Sequence, residues 1–435
     1  MILTGRLALL TGLGVVPVVL LSAAGVDPWL AAACWLVLCA VLAGVDAAAA
    51  GDPRAIRVDR HIPARARLGE LVETRLWLTN EGGRTVRGLV RDAWQPTAGA
   101  PDARLPVTLP PGERRMLEVP LLPRRRGERA TQFVTVRSLG PLGLAGRQAS
   151  LPSLGAVRVL PPFASRRYLP SRLVRLRELD GNTSVQVRGQ GTEFDSLREY
   201  VRGDDVRSID WRATARAGTT MLRTWRPERD RHVVVLIDTG RTSAARVGDG
   251  VRLDAAMEAA LLLATLANRA GDHVHLVMFD RVVRARVTGV DGPALLPALV
   301  DAMAAVEPQL IDTDWDAAFA QVRAVTSRPA LVVVLTAQDH PDAARGVLGS
   351  LGLVTHAARL VVATVTDTSL HALAAERGTG EQVYRAAAAE RTLRDAAQVA
   401  AAIERAGGDA IADGPDELPP RVADRYLALK AAGRL

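Results

Sequence analysis

GQGTEFDSLREYVRGDDVRSIDWRATARAGTTMLRTWRPERDRHVVVLIDTGRTS runs from Gly189 to Ser243, and its last third decides the fold. His232 to Ile237 is apolar and mostly β-branched, as a strand covered on both faces should be. It ends in Asp238-Thr239-Gly240-Arg241-Thr242-Ser243. Oxygen-bearing side chains at the carboxyl end of a buried strand lie where open α/β sheets form their sites.

Downstream, strand and helix patterns alternate. Arg252 to Ala270 reads as an Ala/Leu-rich helix, and His273 to Phe279 as a second strand with Val282 to Val287 as its hairpin partner. Ala330 to Leu335 and Arg359 to Val365 read as further buried strands, with helices at Asp314 to Ala324 and Glu381 to Arg405. This alternation predicts a mainly parallel, doubly wound sheet sandwiched by helices, over residues 231–435.

Upstream the rhythm is different. From Arg57 to Pro161, short alternating apolar runs such as Val72 to Leu78, Arg115 to Val119 and Phe133 to Val136 are split by turn residues, among them Pro110-Pro111-Gly112. Period-two alternation with turns at this spacing predicts an antiparallel β-sandwich of immunoglobulin type over residues 51–161. Residues 162–230 read as a basic linker followed by the charged block.

The first 50 residues hold two apolar segments, Leu7 to Ala24 and Trp29 to Val45, separated by Gly25-Val26-Asp27-Pro28. Each approaches the ~20 residues a helix needs to cross a bilayer. Proline breaks the helix between them. A transmembrane hairpin is expected; a cleaved signal peptide followed by one anchor is the alternative. Arg6 precedes the first segment, Arg54, Arg57 and Arg60 follow the second, and the loop between carries no arginine. The positive-inside rule then places both termini, and the large C-terminal part, on the cytoplasmic side of the cell membrane.

The net charge of +8 is carried almost wholly by arginine, Lys430 being the only lysine. With aromatic residues at 4% and no stacking pattern, nucleic acid is a poor partner, and an anionic membrane leaflet a better one. Cys34 and Cys39 are the only cysteines and both lie in the second apolar segment, so the rest of the chain has no disulfide framework.

Several blocks together resemble a known family. They are Glu193-Phe194-Asp195-Ser196-Leu197-Arg198-Glu199-Tyr200, Gly203-Asp204-Asp205, Arg207-Ser208-Ile209-Asp210-Trp211, the Asp238 turn, and the closing Tyr426-Leu427-Ala428-Leu429-Lys430. They resemble the bacterial domain-of-unknown-function family 58, whose members carry a von Willebrand factor A fold after a membrane hairpin. The resemblance implies a protein partner, an AAA+ ATPase of the MoxR type.

That fold often holds Mg²⁺ through an Asp-x-Ser-x-Ser turn, a threonine on a second loop and an aspartate on a third. Carried over, Asp238, Thr242 and Thr313 match a degenerate form of that site. Gly240 stands at the first serine and Ala337 at the third-loop aspartate, and Asp314 or Asp339 would have to reach inward to compensate. Mg²⁺ tolerates such losses poorly. The competing reading is that Asp238 orders its turn by accepting backbone N–H bonds.

The charged block lacks a nucleophile or a positioned histidine, so catalysis is not expected of it. Asp204, Asp205, Asp210 and Trp211, with Asp238, are candidate partner-binding residues. The bland alternative is a self-satisfied salt-bridge network with Trp211 and Trp225 packed beneath it. The remaining histidines, His273 and His275 included, read as ordinary packing and surface. The expectation is a membrane-anchored scaffold and not an enzyme. A metal-dependent hydrolase acting at Asp238 and an extracellular adhesin-like receptor are the rivals.

Overall fold

In the computed structural model the apolar opening forms a strand, β1 (Ile2–Leu3), and three helices, α1 (Gly5–Leu13), α2 (Val15–Ala23) and α3 (Pro28–Ala49). The structure describes residues 1–101, 104–186, 193–201, 204–226, 231–248 and 250–435. It divides into two units, Met1–Leu160 and Pro161–Leu435. Gly14 joins α1 to α2, and the Trp35 ring packs where a side chain at Gly14 would stand. Gly25, at φ +89°, turns the chain back, and Asp27 caps α3 through the Leu30 amide at 3.0 Å. Gly5–Ala23 and Pro28–Ala55 have mean hydropathies of 1.9 and 2.2, so both are long and apolar enough to cross a membrane. Leu9, Val16, Val19, Leu36, Val37 and Val41 are exposed, a collar that hydrocarbon would solvate and water would not.

Strands β2 (Ile56–His61), β3 (Arg65–Arg67), β4 (Val72–Asn80), β5 (Val86–Trp94), β6 (Leu105–Leu109), β7 (Arg114–Leu121), β8 (Gly127–Leu139) and β9 (Ala145–Leu160) complete the first unit. One sheet runs β1-β9-β8-β5-β6 with β3 beside β9, and the other runs β2-β4-β7. Leu76, Leu78, Val90, Val134 and Val136 interleave between them, as period-two alternation requires. A buried ion pair ties the sheets: Arg60 on β2 meets Asp92 on β5 through two bonds of 2.7 Å. The Trp94 indole donates to the same carboxylate.

Asp46, in the last turn of α3, is buried and accepts from the amides of Leu142, Leu144 and Ala145 at 2.7, 2.7 and 2.9 Å. Those amides belong to the turn between β8 and β9 and to the first residue of β9. Arg147 and Arg84 donate to the terminal carbonyls of Ala47 and Ala48. The helix end is therefore hydrogen-bonded into the sandwich.

The second unit opens with α4 (Leu169–Gln186), held by Arg172 and Arg175 to Asp424 at 2.8 and 3.0 Å. Thus the segment read as a basic linker contains a docked helix. Next come β10 (Glu193–Glu199), α5 (Trp211–Ala217) and β11 (Met221–Arg226), with β10 and β11 pairing as an antiparallel hairpin. The main sheet follows. Its strands are β12 (His232–Asp238), β15 (His273–Phe279), β16 (Val283–Val287), β17 (Pro329–Thr336), β18 (Arg359–Val365) and β19 (Asp409–Asp413). A small pair, β13 (Arg246–Val247) and β14 (Gly250–Val251), precedes α6. The helices are α6 (Arg252–Arg269), α7 (Leu295–Ala304), α8 (Trp315–Val325), α9 (Pro341–Ser350), α10 (Gly352–Thr355), α11 (Ser369–Ala375), α12 (Gly380–Arg405) and α13 (Leu418–Ala431).

Sheet order is β16-β15-β12-β17-β18-β19, parallel except for the β16 edge. Val234, Leu236, Val332 and Val334 face α8, α9 and α12, while α6 and α13 cover the other side. The sheet is doubly wound, and the order in which strands are added reverses around β12, with β15 on one side and β17 on the other. The closing block finds its role here. Tyr426 donates to buried Asp272 at 2.5 Å and Lys430 approaches it at 3.3 Å, pinning α13 beside the start of β15.

Candidate functional site

The crevice between β12 and β17 at their carboxyl ends is the switch point where such sheets bind ligands. Asp238 closes β12 there and is only 1% exposed. Its Oδ1 accepts from the Gly240 amide at 2.8 Å and Thr313 Oγ1 at 2.5 Å. Oδ2 accepts from Thr336 Oγ1 at 2.8 Å and Gln338 Nε2 at 3.3 Å. Burial pushes the carboxyl above its ordinary value, against the pull of these neutral donors. Gln338 Nε2 also donates to Thr242 Oγ1 at 3.1 Å.

Asp238, Thr242 and Thr313 are thus brought together, as the sequence suggested, but in a set that does not fit Mg²⁺. Gln338 stands between Asp238 and Thr242, and Asp238 is the one carboxylate in this set, where Mg²⁺ needs a near-octahedral shell of oxygen ligands. Neither expected compensation occurs. Asp314 caps α8 through the Ala317 amide at 3.0 Å, and Asp339 pairs with Arg252 at 2.7 Å. A side chain at Gly240 would collide with Thr313 Oγ1. The glycine that removes a serine ligand is the residue that lets Thr313 reach Asp238. Among the described residues, no group of three or more His, Cys, Asp or Glu side chains could hold a metal ion. A void of about 10 Å³ beside Gln338 has room for little more than one water.

Asp280, missed in the sequence, ends β15 in the same manner. It accepts from Thr239 Oγ1 at 3.0 Å, Arg284 Nε at 2.6 Å and the amides of Arg281 and Val282 at 2.5 and 3.2 Å. Burial raises its carboxyl, but Arg284 and the amides outweigh this and hold it below the ordinary value. The signal was present: His273 to Phe279 runs into Asp280 just as His232 to Ile237 runs into Asp238. Gln338 and Thr336 carried no comparable pattern. Above these carboxylates the surface is made by Leu310, 79% exposed, and by Arg241 paired with Asp312 at 3.1 Å. Asp238, read from the sequence as a partner-binding candidate, is buried beneath them.

The charged block forms a flap on β10 and β11. Asp204 accepts from the Val201 amide at 2.9 Å and pairs with Arg198 at 2.7 Å. Asp205 caps a 3₁₀ turn through the Arg207 amide at 3.0 Å. Asp210 caps α5 through the amides of Arg212 and Ala213, both at 3.0 Å, and pairs with Arg223 at 2.7 Å. The Ala213 amide, then Arg223, holds its carboxyl below the ordinary value. These three carboxylates bind the flap to itself. Trp211 is not packed beneath them: it is 71% exposed, with Val201 and Val206 exposed nearby in the same block. Trp211 is the first residue of α5, directly after the capping Asp210. The side chain of Trp225 lies outside the described residues.

At the amino ends of the strands His273 and His275 both pack against His232. His232 Nδ1 and His275 Nε2 lie 2.9 Å apart, and His273 meets Asp291 at 3.0 Å. Burial, then His232 and His273, lowers the His275 pKa.

The model for the family "protein of unknown function DUF58" matches residues 196–399 of this chain. No curated protein matches the sequence. Among solved structures, the chain is similar to an aerotolerance-related membrane protein from Bacteroides fragilis carrying multiple mutations to serines. That match has 13% identity over 46% of this chain and 98% of that one, at a TM-score of 0.29. A CARDB domain from Pyrococcus furiosus, in complex with di-metal ions, shows 21% identity over 26% of this chain and 94% of its own, at 0.19. Salmonella alpha-2-macroglobulin reacted with methylamine shows 20% identity over 24% of this chain, which spans 7% of that protein, at 0.20. None of these scores carries fold or function to this chain.

Proposed function

We propose that this membrane-associated DUF58 protein is a cytoplasmic-facing scaffold that binds a protein partner in complex assembly or maturation, and is not an enzyme. The carrying observation is Trp211, held outward on a flap whose Asp204, Asp205 and Asp210 each accept from the flap's own amides. An exposed tryptophan on a rigid mount is a typical interface anchor. The strand order and the Asp238 turn support a von Willebrand factor A-like reading of the main sheet. On that reading Leu310, Arg241 and Asp312 form a second contact area at its carboxyl end. The family resemblance supplies the partner class, an AAA+ ATPase of the MoxR type. The hydrolase reading loses support from the saturated carboxylate at Asp238.

The test is a crosslinked pull-down of the full-length protein from native membranes, with and without ATP and Mg²⁺. Wild type is expected to recover the ATPase, and Trp211→Ala, melting as wild type does, to lose it. Absence of the ATPase under every nucleotide condition would overturn the partner. Equal recovery by the variant would move the contact off the flap.

A further inference from the structure

At the foot of the apolar hairpin lies a recess of about 440 Å³, whose lining includes Gly44, Ala47, Ala48, Asp52, Arg54 and Arg147. The 22 residues of α3 rise about 33 Å, close to the ~30 Å of bilayer hydrocarbon. Its last turn therefore falls at headgroup level, and this turn forms one wall. That wall is made of small apolar residues, with Val41 and Val45 exposed just above on the same helix. The lining also includes two arginines, Arg54 and Arg147.

Arg54 is exposed, and its side chain has no ion-pair or hydrogen-bond partner among the described residues. Arg147 is exposed and spends its Nε on the Ala47 carbonyl at 3.0 Å. Arg84 donates to Ala48 at the rim at 2.7 Å. Asp52 is the one carboxylate in the lining, with Oδ1 accepting from the Arg54 amide at 3.0 Å. Two arginines and one carboxylate therefore line a recess beside the last turn of α3.

We propose that this recess holds the headgroup of an anionic phospholipid. Arg54 and Arg147 take the phosphate, and the acyl chains run up the exposed flank of α3. Juxtamembrane cations favour anionic lipid by about five-fold each, and guanidinium suits phosphate in particular. The apolar wall argues for a lipid in preference to free phosphate, which has nothing to place there.

Native mass spectrometry of the full-length protein in detergent, titrated with phosphatidylglycerol or phosphatidylcholine, tests this. Wild type should retain phosphatidylglycerol in preference. Arg54→Gln should lower that preference about five-fold, Arg147→Gln should lower it further in the double variant, and Arg54→Lys should largely keep it. Arg54→Gln removes no protein contact, so the single variant stands even if changes at Arg147 disturb the helix end. Equal retention of both lipids, an unchanged preference in the double variant, or displacement of the lipid by millimolar inorganic phosphate would each overturn the proposal.

Discussion

The carboxyl end of the main sheet and the flap before it are both rich in aspartate, and they use it in opposite ways. At the sheet, Asp238 and Asp280 turn inward and are saturated by donors, leaving the switch-point crevice filled by the protein's own side chains. In the flap, Asp204, Asp205 and Asp210 serve as caps and ion-pair partners near the surface, and what they hold up is an exposed ring. The second unit thus contains one acidic cluster that closes a site and another that builds a platform. Acidic composition alone does not tell them apart; the count of available donors does.

Asp238→Ala should break this contrast most strongly. It strands several buried donors and should cost about 3–5 kcal/mol, read as a fall in melting temperature. A stable variant would show the crevice to be solvated and open. Gly240→Ser should come next, at about 1–3 kcal/mol, through collision with Thr313. Isothermal titration with Mg²⁺ should then show no gain in binding, and tight binding by the serine variant would revive the ion site.

Acid should act at the other end of the strands. With the His275 pKa lowered in the fold, its contribution is complete above about pH 6.5. The unfolded chain binds the proton first, so stability falls as pH drops through the folded value. His275→Gln should flatten the pH dependence of unfolding between pH 7 and 5, and an unchanged profile would assign it to other groups. Smallest is the effect of Trp211→Ala on stability, within about 0.5 kcal/mol for a surface position. A loss of several kcal/mol would mean the ring is covered.

Much of the fold was legible because its strands are extreme. His273–Phe279 and Arg359–Val365 fall where the apolar runs begin and end. Asp409–Asp413 was not read as a strand, because DAIAD at a sheet edge has too little apolar length to signal one. Helix α4 was hidden by its arginines, two of which turned out to grip Asp424. The Asp238 turn could be located from the chain, but its chemistry could not. That depends on Gln338, one hundred residues away in sequence, and on whether an amide or an oxygen faces the carboxylate. The exposure of Trp211 was equally out of reach, since an aromatic ring beside carboxylates reads as well for packing as for surface.

Asp46 has a mechanical consequence. Three amides from the turn between β8 and β9 and the first residue of β9 converge on a carboxylate in the last helical turn, and two arginines hold the carbonyls beside it. Nothing at that junction can swivel without breaking several bonds together. If the hairpin tilts to suit a thinner or thicker bilayer, the sandwich must lean by the same angle, as a mast leans with its deck.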